Sequence, residues 1–141
     1  MTSTDINKAE AASRLRALLM AMMAALLLWH TYLVGGDELS TMNPVLRHGG
    51  WAFAILAWLL VLSTGGFATI NPRVKRLMND EVARANRSRA LQTGFWTAML
   101  VGLALYFASL QWEMGIQHGL RILLNLTIAA ALARYAWLEL R

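Results

Sequence analysis

Residues 91–110 read LQTGFWTAMLVGLALYFASL, twenty consecutive positions without a charge. At 1.5 Å per residue a helix of that length covers about 30 Å, the thickness of a bilayer's hydrocarbon core. Its apolar side chains surround the helix instead of forming one stripe, so no face is left for water. Three more stretches of the same kind flank it. Upstream, residues 51–70 (WAFAILAWLLVLSTGGFATI) are uncharged, and residues 17–34 (ALLMAMMAALLLWHTYLV) are interrupted only by His30 and Thr31. Downstream, residues 122–138 (ILLNLTIAAALARYAWL) carry a single charge, Arg134. The expected fold is all-α: one integral membrane domain over 1–141, an antiparallel four-helix bundle running up-down-up-down. Residues 17–34 follow Arg14 and Arg16 as the core of a signal peptide would, but their apolar run is long and ends in Gly35-Gly36-Asp37-Glu38 without a small-residue cleavage motif. Retention as the first span is expected.

Composition agrees. The apolar share is 57% and the charged share 15%, shifted from the roughly 45–50% and 25% of soluble domains in the direction lipid solvation demands. The chain has no cysteine, which excludes disulfides, thiolate catalysis and cysteine-ligated zinc or iron–sulfur centres.

The charges set an orientation. Lys8, Arg14 and Arg16 precede the first span, and Arg73, Lys75, Arg76, Arg84, Arg87 and Arg89 lie between the second and third. Arg134 and Arg141 close the chain. Eleven of the thirteen basic residues thus fall on one side, and only Arg47 and Arg121 on the other, with Asp37, Glu38 and Glu113. Basic segments stay cytoplasmic. Both termini are therefore expected inside a bacterial inner membrane, with the acidic loops periplasmic in a Gram-negative cell. Trp29, Tyr32, Trp51 and Trp112 at outer span ends, and Tyr135 and Trp137 at an inner one, fit an interfacial belt. Trp58 and Trp96 lie deeper and are expected to pack between helices.

The connections are read from their turn residues. Residues 35–50 form a short outer loop with Asn43-Pro44 midway and Gly49-Gly50 at its end, and residues 111–119 a shorter outer turn. Asn71-Pro72 and Asp80 are candidate helix starts, so 71–90 is expected to be an ordered, amphipathic cytoplasmic segment running into the third span. Small residues recur every fourth position: Ala90, Gly94, Ala98 and Gly102 in the third span, and Ala129 and Ala133, one turn after Asn125, in the fourth. Such spacing lets backbones approach, either within the bundle or across a homo-oligomer face.

Reactive groups are few. Intramembrane polar residues are functional suspects by default, and here they are His30, Gln92, Asn125 and Arg134, with no carboxylate in mid-span. That argues against a proton-coupled transporter. No phosphate-binding glycine loop, aspartate pair or serine–histidine arrangement is present, so no enzyme activity and no cofactor are expected. His30, His48 and His118 all fall near the outer surface and keep open a second reading, a redox, metal- or haem-binding subunit. A third is a structural subunit of a larger membrane complex. The favoured partner-binding surface is the basic inner segment, Arg73, Lys75, Arg76, Asp80, Glu81, Arg84, Arg87 and Arg89. It faces either anionic headgroups of the lipid bilayer or a cytoplasmic protein. Direct nucleic-acid binding is not expected from a helix held against a membrane without a base-reading module.

Two segments carry a resemblance. Residues 79–96 (NDEVARANRSRALQTGFW) and 134–141 (RYAWLELR) resemble small four-span bacterial membrane proteins, mostly uncharacterised and often encoded beside a short helix-turn-helix regulator. Asp80, Glu81, Arg84, Arg134 and Glu139 are the matching positions. The resemblance implies a membrane protein that binds and restrains such a regulator. An accessory or regulatory role is the resulting expectation.

Overall fold

Nothing between Ser3 and Leu33 interrupts a helix: no proline, no glycine, and a run of alanine, leucine and methionine with high helical propensity. The computed structural model describes residues 3–33, 44–64 and 81–141, with side chains over 10–31, 49–63 and 81–141. Helix α1 (Ser3–Leu33) is continuous, so the polar residues before the apolar run extend the helix instead of forming a tail. Helix α2 (Pro44–Thr64) begins earlier than expected. Pro44 takes the first helical position, where a missing N–H costs nothing. The outer loop read over 35–50 is therefore shorter, and Gly49-Gly50 lie inside α2. Helix α3 (Glu81–Ser109) runs unbroken from its charged first turns into the apolar span, as expected, with Glu81 in its first turn favourable to the helix dipole. The expected helix starts at Asn71 and Asp80 lie outside the described residues, as does the far end of the second span. A tight turn closes α3, with Gln111 N–H and Trp112 N–H both donating to Ala108 C=O at 3.0 and 2.9 Å. Helix α4 (Ile116–Leu140) follows from Gly115. Among the described residues there is no strand.

Helix α4 is the centre, flanked along its length by α1 and α3, while α2 touches α4 and α3 over a shorter stretch. Its inward stripe is Asn125, Ile128, Ala129, Ala131, Leu132, Tyr135 and Ala136. Ala17, Met20, Ala24 and Leu27 of α1 and Ile55 and Leu62 of α2 join the same buried set, with Trp51, Trp58 and Val61 packed at its edge. The first and last helices are antiparallel: Arg16 meets Glu139 and His30 meets Asn125. Helices α3 and α4 are antiparallel too, with Asn86 beside Leu138 and Gly94 beside Thr127 and Ala131.

Three expectations change. Ala133 is exposed, because a four-residue repeat drifts about 40° per step at 3.6 residues per turn and leaves the packed face by its third member. Leu132 and Ala136 take its place. Trp96 is exposed, not packed between helices. Trp51, expected in the belt, turns inward instead.

Helices α1, α3 and α4 are each long and apolar enough to cross a membrane. Their outward faces carry large apolar side chains: Leu15 is 60% exposed, Leu100 67% and Ile116 79%. In water such surface would drive aggregation, whereas lipid solvates it. Several threonine and serine hydroxyls are satisfied within their own helix, among them Thr31 on Leu27 C=O at 2.8 Å, Thr97 on Thr93 C=O at 2.9 Å and Ser63 on Leu60 C=O at 2.9 Å. That is the usual way a hydroxyl sits on a lipid-facing helix.

Close approach concentrates at Gly94. A Cβ there would lie 3.1 Å from Ala131 Cβ and 3.4 Å from the Thr127 carbonyl oxygen, whereas one on Gly102 would meet only Leu123 Cδ1 at 3.9 Å. Gly94→Leu is expected to destabilise the chain by roughly 1–3 kcal/mol in detergent unfolding through overpacking, and Gly102→Ala to be neutral or mildly stabilising. Equal effects at the two glycines would contradict this packing.

Candidate functional site

Polar side chains gather at both ends of α4. At the end shared with the starts of α1 and α3, Glu139 accepts hydrogen bonds from Ser13 Oγ at 2.7 Å and Arg16 Nη2 at 2.8 Å. Both charged side chains are largely buried, 11% exposed for Arg16 and 6% for Glu139. The Arg16 guanidinium also lies over the Tyr135 ring, 5.4 Å from its centroid. Asn86 of α3, itself buried, points its amide at Leu138 C=O at 3.5 Å. Helix α2 joins as well, since Arg87 Nη1 of α3 donates to the Ser63 carbonyl of α2 at 3.2 Å.

Asn125, fourteen residues earlier on α4, anchors the second cluster about 21 Å away along the helix axis. It is 0% exposed. The Trp51 indole N–H donates to Asn125 Oδ1 at 3.0 Å, and Arg121 lies 5.7 Å from the Trp51 ring centroid. An indole can only donate, which fixes the amide orientation. Asn125 Nδ2, 3.4 Å from His30 Nδ1, must then donate to it. The His30 proton accordingly sits on Nε2. In that arrangement neither imidazole nitrogen offers a free lone pair, so His30 is occupied in tying α1 to α4. His118 is exposed at the start of α4, and the His48 side chain lies outside the described residues. Among the described residues no three His, Cys, Asp or Glu side chains come together.

The basic segment divides in two. Arg73, Lys75, Arg76 and Asp80 lie outside the described residues. On α3, Ala83, Asn86 and Ala90 are buried, and Glu81, Arg84 and Arg89 point outward and are exposed. Arg87 is spent on α2. The proposed packing residues Gly94, Asn125 and Ala129 are buried within the chain's own helices, with Ala98 and Gly102 half-buried beside them. The Ser13–Arg16–Glu139 tie was not visible from sequence. Its only trace is that Arg16 and Glu139 stand at the same-side limits of two apolar runs.

The tie makes a specific demand on stability. Removing one member of a buried ion pair strands the other, at about 3–5 kcal/mol. Arg16→Gln and Glu139→Gln are each expected to cost in that range in reversible detergent unfolding, while the double variant costs clearly less than their sum. Strict additivity would mean the two charges do not interact. No protein-family model, no curated protein and no solved structure matches this chain.

Proposed function

We propose that the chain is a four-span protein of a bacterial inner membrane that acts as an accessory or regulatory protein. It holds a cytoplasmic partner against the outward arginines of α3. The helices pair antiparallel where their contacts are defined, and the basic residues gather at one end, so an up-down-up-down bundle with both termini cytoplasmic follows from the positive-inside rule. The observation that carries the partner reading is the sorting of charges on α3. Ala83, Asn86 and Ala90 press one side of its first turns against the bundle, and Arg84 and Arg89 are presented on the other. A helix held this way offers its charges with little ordering cost on binding. The resemblance to four-span proteins encoded beside helix-turn-helix regulators makes such a regulator the partner class to test first. Of the polar groups within the apolar runs, His30 and Asn125 are engaged in tying α1 to α4, which favours a structural use of both over a catalytic one.

The orientation is tested by fusions: a periplasm-dependent phosphatase joined after Glu113 should be active, and one joined after Arg89 inactive. Reversed activities would overturn the topology and the docking proposal with it. The docking surface is tested by capturing cytosolic partners on the full chain in lipid nanodiscs. Arg84→Glu/Arg89→Glu should lower specific capture at least ten-fold, because rim charges govern encounter and their reversal is repulsive. Undiminished capture by that variant would sink the reading.

A further inference from the structure

Arg134 is the one basic residue within the fourth apolar run, and α4 does not turn it inward. It is exposed, and it makes no hydrogen bond, ion pair or ring contact with any described residue. It stands five residues before Glu139, about 7.5 Å deeper along the helix axis. Charged groups at such depth normally face a bundle interior or find a counter-charge. Trp137 and Arg141 share its face, at i+3 and i+7, and both are exposed. Side chains on a helix lean toward its N-terminus. Arg141 accordingly reaches back over Trp137, its guanidinium 5.9 Å from the ring centroid, which places the second positive charge on the face that carries Arg134. Among the described residues no acid offsets them on this face, because Glu139 is turned inside and paired with Arg16.

We propose that Arg134, Trp137 and Arg141 form a binding site for the headgroup phosphate of an anionic phospholipid in the inner leaflet. Two guanidiniums bracket the phosphate, for which their planar donor forks are suited, and the Trp137 indole sits at headgroup level beside it. The acyl chains then lie along the apolar outer surface of α4. Two uncompensated positive charges favour a lipid with net negative charge over a zwitterionic one. The site is separate from the docking surface on α3 and does not rest on it.

The test is native mass spectrometry of the full chain in mild detergent with equimolar dioleoylphosphatidylglycerol and dioleoylphosphatidylcholine. The wild type is expected to retain phosphatidylglycerol about ten-fold or more over phosphatidylcholine, and Arg134→Gln to lower that retention about five-fold. Arg134→Gln/Arg141→Gln should abolish the preference, and Arg84→Gln/Arg89→Gln should leave it intact. Millimolar inorganic phosphate should not displace the lipid. Equal retention of the two lipids, an unchanged preference in the double variant, or displacement by free phosphate would each overturn the proposal. A second readout needs no arginine variant. Quenching by brominated phosphatidylglycerol in vesicles should exceed that by brominated phosphatidylcholine, and Trp137→Phe should remove the excess; an excess that survives counts against the site.

Discussion

In a bilayer, moving a leucine from lipid to a helix interface releases nothing from water, so apolar burial alone does not bring helices together. Close packing and interhelical polar bonds remain, and α4 supplies both. Its buried stripe alternates small residues, Ala129, Ala131 and Ala136, with Ile128, Leu132 and Tyr135. Helix α3 answers with Ala83, Ala90 and Gly94, and α1 with Ala17 and Ala24. The large side chains of α4 fill the space that these small ones leave. Were α1 or α3 leucine-rich at those positions, the axes would separate and the dispersion contacts would weaken with them.

Packing of this kind holds helices together but tolerates sliding. Register comes from the polar ties. Arg16–Glu139 and His30–Asn125 are each separated by fourteen residues on both helices, so one antiparallel alignment of α1 and α4 satisfies both. A slip of one turn, about 5.4 Å, would break both together and leave the buried Glu139 carboxylate without its α1 partners and the Asn125 amide N–H without His30. Arg87 on the Ser63 carbonyl and Trp51 on Asn125 do the same for α2, which has little other contact with the bundle. The weakly packed helix is thus fastened near both ends by side-chain bonds.

Much of the architecture was legible because lipid leaves a blunt imprint on sequence. Continuous apolar runs marked the helices, the reading of 71–90 as an ordered segment running into the third span anticipated the charged first turns of α3, and the four-residue spacing picked out Gly94 and Ala129. Central placement of α4 was not legible, since alanine and leucine occur in all four runs and hydropathy says nothing about which helix is flanked. Ala133 and Trp96 were misread for a related reason: a spacing rule ignores rotation about the helix axis, and a tryptophan in mid-span is stable in lipid as well as in protein. Pro44, read as part of a loop, proved to be the first residue of α2, because an asparagine–proline dipeptide occurs in loops and at helix starts alike. Of the residues singled out from sequence, His30, Asn125 and Arg134 stood out because their chemistry is costly in lipid, and Arg84, Arg87 and Arg89 because they lie in the basic segment. Arg16, Asn86 and Glu139 sit where charged residues are common anyway, so their pairing required the fold.

The arginines show what that fold adds. By composition they are equivalent, a topology signal counted toward one side. In the folded chain Arg16 is buried against a carboxylate, Arg87 is bound to the Ser63 carbonyl of α2, Arg84 and Arg89 are presented outward, and Arg134 is exposed on the outer face of α4. The first two satisfy internal groups and so have little left to offer a partner; a charge becomes available for recognition only when the helix surface carrying it is held in place by neighbours that are not. On α3 those neighbours are Ala83, Asn86 and Ala90, and on α4 they are Leu132, Tyr135 and Ala136. Outward charge and inward packing are therefore parts of one arrangement, and a recognition surface on this small bundle depends as much on the alanines behind it as on the arginines in front.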